Sequence, residues 1–231
     1  MDIKKNIRFI VYVISIAIAI LVYTTSPHRF LYIFDTQWYG ILSFILLYFT
    51  LLPSPLYAVF PQLPYKQIYI KARKALGVSS FFFALIHSYL GFFKFVGGFD
   101  GLQYWSIRFA WSLFFGFIAL IILAILAITS LKYFIKRLGK YWKLLHRSVY
   151  VASFLIVIHG VTVTMHIINL QIYLVVTYIF LTLLLTLESI RFDKYLKKYK
   201  RIPSYVITKV VLPISLILLF WSFFFVNHHT H

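Results

Sequence analysis

The sequence contains no cysteine and few acidic residues, with 5 Asp and Glu against 23 Lys and Arg in 231 residues. Without cysteine the chain cannot form a disulfide, a thiolate zinc site, a cysteine-ligated iron–sulfur cluster or a covalent haem attachment. Charged residues are 12% of the chain and hydrophobic residues 62%, whereas a soluble domain is about 25% charged and about 45–50% apolar. This composition excludes an ordinary soluble fold, and the 21% of aromatic residues excludes intrinsic disorder.

Long segments without a charge recur along the chain, and a helix needs about 20 apolar residues to cross the hydrocarbon core. One of them, 148–187, is too long for a single crossing, and a polar step from His166 to Asn169 divides it. The sequence therefore predicts an all-α, polytopic membrane helical bundle. The predicted membrane helices are 7–24, 38–60, 74–95, 109–131, 146–165, 170–188 and 206–226.

The basic residues lie mainly on one side of this predicted bundle. Four segments hold 3, 4, 6 and 7 of the 23 Lys and Arg residues, in this order: the N-terminus, 61–74, 132–147 and 189–209. The opposite side holds the remaining ones, Arg29, Lys94 and Arg108. Because cytoplasmic loops carry the excess of Lys and Arg, the N-terminus is predicted to be cytoplasmic. The same surface suits anionic lipid headgroups or an acidic cytosolic partner.

The chain offers no nucleotide-binding unit. Its longest predicted cytoplasmic segment, from Arg191 to Lys209, is shorter than the roughly 30 residues of one βαβ unit. No Gly-x-Gly-x-x-Gly motif and no P-loop occurs. The chain by itself is therefore not expected to harvest electrons from NAD(P)H.

Histidine is the ionisable residue that the predicted helices carry deep in the membrane, which makes it the candidate functional residue. His87 lies 13 residues past Lys74, and His159 lies 12 residues past Arg147. At 1.5 Å per residue they lie about 20 Å and about 18 Å into the membrane. Both helices run outward, so the two imidazoles reach a similar depth. This arrangement predicts bis-histidine ligation of a b-type haem by His87 and His159.

Gly91 and Gly160 are expected to leave room for a flat macrocycle beside these histidines. The alternative is that each histidine bonds a backbone carbonyl or a hydroxyl group of a neighbouring helix. Zinc and copper are less favoured, because only two deep nitrogens converge and no carboxylate or thiolate joins them.

His146 lies at the predicted inner boundary and is a candidate ligand for a second haem. The residue 14 before His87 is Arg73 rather than a histidine, so the inner level lacks an opposing ligand and one firmly held haem is predicted. His146 would then contact an inner cofactor, a haem propionate or a quinone headgroup, or anchor the helix at the interface. Arg73, Lys74 and Arg147 at the same rim suit an anionic cofactor such as a flavin phosphate, or serve topology alone by snorkelling.

Three sequence blocks resemble ferric reductase-like transmembrane domains and, within them, the MsrQ (YedZ) haem subunits. The first runs from Arg73-Lys-Ala-Leu-Gly77 to Leu-Ile-His87. The second runs from Arg137-Leu-Gly-Lys-Tyr-Trp142 through His146-Arg-Ser-Val-Tyr150, with His159 following, and the third is Leu52-Pro-Ser-Pro-Leu56. The resemblance covers about 40–200 and implies a six-helix core.

We accordingly divide the chain into three parts. Residues 1–37 form an N-terminal membrane helix and outer loop, and residues 38–200 form the ferric-reductase-like haem-binding core. Residues 201–231 hold an extra membrane helix, the seventh, and a His-rich tail. The extra helix and the short outer loops depart from the MsrQ pattern.

The resemblance implies a haem b protein of a bacterial inner membrane. In the family, the residues matching His87 and His159 pair on haem, and the one matching His146 is a candidate ligand for a second haem in some members. Electrons pass from a cytosolic flavin reductase, or from quinol, to a periplasmic acceptor protein. A flavin mononucleotide near the inner face is also implied. Relatives with the same domain reduce oxygen or metal ions.

The sequence thus predicts one link of an electron-transfer chain, an oxidoreductase component to which no catalytic residue is assigned. Electrons would enter near Lys140, Trp142 and His146, and leave around Tyr104, Trp105 and His166. One rival is a quinol-oxidising cytochrome b anchor, with Tyr65, Lys66 and His146 as its quinone cluster. Others are a metal or oxygen reductase domain, a haem or metal transporter, or a scaffold. The internal repeats and matched broken helices typical of transporters are not evident in the sequence.

Overall fold

The computed structural model describes residues 3–25, 32–167 and 171–199, and none of these lies in a strand. The α-helices, in chain order, are α1 (Ile3–Thr25), α2 (Tyr32–Leu51), α3 (Pro53–Val59), α4 (Lys66–Tyr89), α5 (Gly98–Gly101), α6 (Ile107–Thr129), α7 (Lys132–Leu138), α8 (Lys140–Leu145), α9 (Val149–Ile167) and α10 (Gln171–Tyr199). A π-helical segment, Leu90–Val96, continues α4, and 3₁₀ turns cover Leu102–Tyr104 and His146–Ser148. The predicted all-α class is confirmed for the described residues.

Five segments in the described part of the chain are long and apolar enough to cross a membrane. They are Lys4–Thr25, Phe34–Val59, Lys66–Val96, Ile107–Thr129 and Lys140–Val163. Many of their large apolar side chains are exposed, among them Phe9, Phe117 and Phe154. In water such exposure would be costly, but in lipid these side chains have an apolar solvent. The protein is therefore a multi-pass membrane protein.

Several predicted helix starts are wrong. The helix predicted for 74–95 begins at Lys66, immediately after the Pro64-Tyr65 turn, because 66–74 contains no helix breaker and its lysines extend the helix beyond the apolar run. The helix predicted for 38–60 begins at Tyr32 and is divided at Leu52, where Pro53 opens α3. Proline has no backbone N–H and is favoured in the first turn of a helix.

The segment 132–147, predicted as a cytoplasmic connection, contains α7 and α8. The helix predicted for 146–165 begins at Val149, because His146 lies in a 3₁₀ turn. The polar step that divides 148–187 is confirmed, since α9 ends at Ile167 and α10 begins at Gln171. Residues 171–188 of the predicted helix 170–188 lie within the longer α10. The predicted helix 206–226 and the His-rich tail lie outside the described residues.

The chain divides into two compact units. The first comprises Met1–Thr50 with Gln67–Val163, and the second comprises Leu51–Lys66 with Thr164–His231. All three histidines predicted as cofactor ligands belong to the first unit. The domain boundaries predicted from the sequence stay predictions.

Hydroxyl groups join the helices of the first unit. Ser43 Oγ donates to the Ser80 carbonyl oxygen at 2.9 Å, and Ser80 Oγ donates back to the Ser43 carbonyl oxygen at 2.8 Å. Tyr39 Oη donates to the Ala19 carbonyl oxygen at 3.0 Å, which links α2 to α1. Such bonds satisfy polar groups where lipid offers no partner, and small residues let the helices approach closely. The Ser43–Ser80 bonds hold α2 beside α4, and the Tyr39 bond holds α2 beside α1.

In the second unit, α10 is attached to α3. Arg191 donates to Ser54 Oγ at 2.7 Å, and Lys194 donates to the carbonyl oxygens of Ala58 and Val59 at 3.2 and 3.1 Å. These carbonyls end α3 and have no partner within the helix, so the lysine ammonium group satisfies them as a C-terminal cap. Part of the basic charge predicted to mark topology also stabilises helix packing here.

Candidate functional site

His87 lies in the last turn of α4 and contacts α2. Its Nδ1 atom is 2.7 Å from the carbonyl oxygen of Thr36. A carbonyl oxygen can only accept, so Nδ1 carries the hydrogen and donates it. The neutral ring then has its lone pair on Nε2, which is the nitrogen available to a metal ion.

His159 lies in α9 and makes the corresponding contact with α6. Its Nδ1 atom is 2.9 Å from the carbonyl oxygen of Ser112. The Ser112 hydroxyl donates to the His159 carbonyl oxygen at 3.1 Å, and its oxygen lies 3.3 Å from His159 Nδ1. This ring therefore also donates from Nδ1 and keeps its lone pair on Nε2.

The two rings face each other within the first unit. Their centroids are 6.0 Å apart and their planes are inclined by 78°. Both residues are partly buried. The structure thus brings together the two histidines that were predicted to share one depth, although their role as haem ligands stays a prediction.

The distance between the two rings matches that expected for a metal ion held between two imidazoles. Two metal–nitrogen bonds of about 2 Å, with each ring nitrogen about 1 Å from its ring centre, would separate the centroids by about 6 Å. The observed separation is 6.0 Å. A backbone carbonyl on the far nitrogen is the usual way in which proteins orient a metal-binding histidine. The hydroxyl oxygen of the same residue, Thr36 Oγ1, is buried without a hydrogen-bond partner among the described residues.

No cluster of three or more His, Asp or Glu side chains forms in the described part of the chain. A protein-only tetrahedral or octahedral site therefore has too few ligands here. A haem would bring its own porphyrin nitrogens, so a pair of histidines such as His87 and His159 would be enough to hold its iron.

Two glycines beside the histidines were missed by the sequence analysis. A Cβ atom on Gly40 of α2 would lie 2.8 Å from His87 Nδ1, and a Cβ atom on Gly116 of α6 would lie 2.9 Å from His159 Nδ1. Each glycine follows the carbonyl-bearing residue by four positions, in Thr36-Gln-Trp-Tyr-Gly40 and Ser112-Leu-Phe-Phe-Gly116. The shared pattern of a hydroxyl residue, two aromatic residues and glycine was the available sequence signal.

The room that Gly91 was expected to leave for a macrocycle stays a prediction. A Cβ atom there would lie 3.3 Å from Thr36 Cγ2, so this glycine accommodates the side chain of Thr36. Its absent side chain allows the π-helical segment to pack closely against α2. It thereby contributes to the position of Thr36.

His146 is separate from the pair and lies in a hydrogen-bonded group at the other end of α6. Its Nε2 atom is 3.2 Å from Thr129 Oγ1, whose hydrogen is donated to the Ile125 carbonyl oxygen at 2.7 Å. Nε2 of His146 therefore donates to the hydroxyl oxygen, and it is not free to bind iron while this bond exists. The centroids of the Trp142 and His146 rings lie 4.1 Å apart. Trp142 Nε1 donates to the Thr129 carbonyl oxygen at 3.0 Å.

Trp142→Phe is expected to lower stability by about 1 kcal/mol, because it removes the hydrogen bond to Thr129 but keeps a ring against His146. The thermal midpoint of the purified protein in detergent measures this change. Trp111→Phe is the matched control, since the Trp111 side chain on α6 is 55% exposed. An equal effect of the two substitutions would contradict a role for the Trp142 bond.

The basic residues predicted to surround an inner cofactor are partly assembled near His146. Arg73 and Lys74 of α4 lie close enough to His146 for their charges to act on it. Arg8 and Lys132 act in the same way on Lys74. We call these four cations the basic end of the first unit. Arg147 directly follows His146 in the 3₁₀ turn, and its part in an anion site stays a prediction.

The proposed quinone cluster was expected to combine Tyr65, Lys66 and His146. Tyr65 and Lys66 belong to the second unit and His146 to the first, so their proximity stays a prediction. Within the second unit, the Lys66 ammonium group lies 5.9 Å from the centre of the Tyr57 ring. Tyr65 is 75% exposed.

An aromatic pair connects the opposite end of the first unit with the histidines. The Trp105 ring stacks on Phe109, with centroids 4.3 Å apart and planes 24° apart. Phe109 is buried and lies one helical turn before Ser112, the residue that holds His159. Trp105 was a predicted exit residue, and its part in electron transfer stays a prediction. The side chain of His166 lies outside what the structure describes.

The fold and site together define a helical, multi-pass membrane protein with a backbone-anchored histidine pair between its helices. Residues 39–157 match the family described as ferric reductase like transmembrane component. The match covers more than half of the chain and contains His87 and His146, and it ends two residues before His159. The chain belongs to this family. No curated protein and no solved structure matches the chain significantly.

Proposed function

We propose that the protein is a haem b electron-transfer subunit of a membrane reductase system, similar to the MsrQ branch of its family. His87 and His159 would hold its iron. The observation that carries this proposal is that both Nδ1 atoms are bound to backbone carbonyls while the rings stand 6.0 Å apart. Haem b, when bound, supplies one reversible one-electron step between ferric and ferrous iron.

The contacts of His146 support one haem per chain rather than two. Its Nε2 is engaged by Thr129, and its neighbours across the helices are the cations Arg73 and Lys74. Cations disfavour a second positively charged centre but favour an anion. The basic end, together with Arg147 beside it in the sequence of the 3₁₀ turn, therefore suits the phosphate of a flavin mononucleotide, with Arg73, Lys74 and Arg147 as its contacts.

The distribution of charge supports an orientation in a bacterial-type inner membrane with the basic end and the N-terminus in the cytoplasm. The donor would then be a cytosolic flavin reductase, or a quinol from the membrane, acting near Trp142 and His146. The route through Phe109 and Trp105 would lead to an acceptor on the outer face, a periplasmic protein or a metal ion. Supplying NADH with a flavin reductase, or a quinol, to the protein in vesicles distinguishes the two donors by which one reduces the haem.

The test of the proposal is the absorption spectrum of the full chain purified from cells supplied with a haem precursor. We expect b-type bands that sharpen on reduction with dithionite, and one haem b per chain in the pyridine haemochromogen assay. Protein that lacks such bands would refute haem ligation. Two haems per chain would contradict the role given to His146.

A further inference from the structure

The same local arrangement occurs twice in the first unit, once for each histidine. On α2 and on α6, a carbonyl at position i receives a histidine Nδ1–H, and a glycine stands at position i+4. In an α-helix the carbonyl of residue i already accepts the N–H of residue i+4. A carbonyl oxygen has a second lone pair, so Thr36 and Ser112 can each accept a second hydrogen bond from the side.

Glycine at i+4 is what leaves this second lone pair accessible. A helical side chain leans toward the N-terminus and covers the turn before its own Cα. Any Cβ atom at position 40 would lie 2.8 Å from Nδ1 and 3.0 Å from Cε1 of His87. A Cβ atom at position 116 would lie 2.9, 3.0 and 3.1 Å from Nδ1, Cε1 and Cγ of His159. Both distances to Nδ1 are below those of real Cβ contacts, so the ring would have to move.

We propose that Gly40 and Gly116 are positioning residues that expose the carbonyls of Thr36 and Ser112, and thereby fix His87 and His159 with the hydrogen on Nδ1 and with crossed ring planes. The purpose of this positioning, haem ligation, rests on the proposed function, whereas the positioning itself is argued from the contacts alone. In the pattern hydroxyl residue-x-aromatic-aromatic-glycine, the first residue's carbonyl thus binds Nδ1 of a histidine and leaves the Nε2 of that histidine available to a ligand. In the copy on α6, the Ser112 hydroxyl also contacts His159: it donates to the His159 carbonyl oxygen and lies near His159 Nδ1.

The first test reads the tautomer directly. The full chain, labelled with ¹⁵N-histidine, purified in detergent and reduced with dithionite, is studied by NMR. We expect His87 and His159 to carry the hydrogen on Nδ1, and Gly40→Ala to disturb the signal of His87 while that of His159 is retained. Gly116→Ala is expected to do the reverse. Hydrogen on Nε2 of both residues in the wild-type chain would overturn the proposal, whether or not the variants fold.

The second test reads the haem environment. Gly40→Ala and Gly116→Ala are expected to lower haem affinity by about 10- to 100-fold, as loss of an outer-shell partner does. The remaining bound haem is expected to show a shifted midpoint potential and a changed electron paramagnetic resonance spectrum, since both report ligand orientation. Gly77→Ala is the matched control on α4, because its Cβ atom would meet only Thr50, at 3.4 Å or more.

The outcomes separate this proposal from the proposed function. A wild-type chain without haem refutes the haem proposal, while the tautomers still decide the role of the glycines. Haem-loaded glycine variants with the affinity, potential and spectrum of the Gly77→Ala control would overturn the positioning role. Ser112→Ala removes only the hydroxyl and keeps the carbonyl, so we expect it to retain the Nδ1–H tautomer. Loss of that tautomer in Ser112→Ala would assign the effect to the hydroxyl and contradict the proposal.

Discussion

His87→Ala and His159→Ala are each expected to abolish the b-type absorbance bands of the purified protein. Each substitution removes one of the two imidazoles whose rings stand 6.0 Å apart. No other His side chain of the described residues lies in this pair, and no third His, Asp or Glu joins it. The loss is measured as haem per chain in the pyridine haemochromogen assay, alongside the reduced-minus-oxidised spectrum.

His146→Ala is the matched control for these two variants. It removes a histidine of the same chain whose Nε2 is bonded to Thr129, so most of the haem signal should remain. Equal loss in all three variants would favour two haems and contradict the assignment of a single pair. If His87→Ala retained the full haem signal, ligation of the haem by the His87–His159 pair would be contradicted.

Gly101→Ala is expected to destabilise the protein more than any other glycine substitution outside the histidine site. A Cβ atom there would lie 2.7 Å from the carbonyl carbon of Val96 and would overlap its oxygen. Because the obstacle is backbone, no side-chain rotation relieves the overlap. We expect a loss of about 3 kcal/mol, the upper part of the usual range for overpacking, or about 6–12 °C in Tm for a chain of this size.

The measurement is thermal unfolding of the variant in detergent, followed by size-exclusion chromatography of heated samples. Gly77→Ala is again the control, with an expected change within about 1 kcal/mol, because it places alanine in a helix interior with ordinary contacts. A Tm for Gly101→Ala equal to that of the control would show that the turn between Val96 and Gly101 adjusts freely. The turn matters for function because Trp105 follows it and stacks on Phe109.

The two interpretations of the deep histidines that the sequence left open turn out to be compatible. One was haem ligation and the other was bonding to a neighbouring backbone carbonyl. The structure shows the carbonyl bonds, at 2.7 Å to Thr36 and 2.9 Å to Ser112. Since imidazole has two nitrogens, bonding at Nδ1 leaves Nε2 for a ligand and favours ligation instead of replacing it.

His87 and His159 lie together, as their similar distances from Lys74 and Arg147 predicted, although the predicted starts of both helices were wrong. His87 was placed by its distance from Lys74, and the helix in fact begins at Lys66. The rise per residue is constant along a helix, so depth counted from the charged residue is unaffected by where the helix begins. The start of α9 was wrong for a different reason, since His146 and Arg147 form a 3₁₀ turn whose contacts with Thr129 and Trp142 are not local in the sequence.

The sequence could not have identified the glycines of the site as clearly as it identified the histidines. Gly40 and Gly116 lie in ordinary apolar helices, where glycine often serves close packing in general. Their role depends on which helix face meets α4 or α9. The hydrogen bonds concerned join residues 51 and 47 positions apart in the chain.

Composition and periodicity alone establish that this is a cysteine-free, helical membrane protein whose deep ionisable groups are histidines. These properties follow from local rules, because bilayer thickness sets helix length and charge is excluded from hydrocarbon. Only the folded chain shows which nitrogen of each histidine is free and how the ring planes cross. Only the folded chain also shows why His146 stands apart from the pair. Each of these depends on a carbonyl, a hydroxyl or a missing side chain of another helix, and packing alone brings those groups within hydrogen-bond distance.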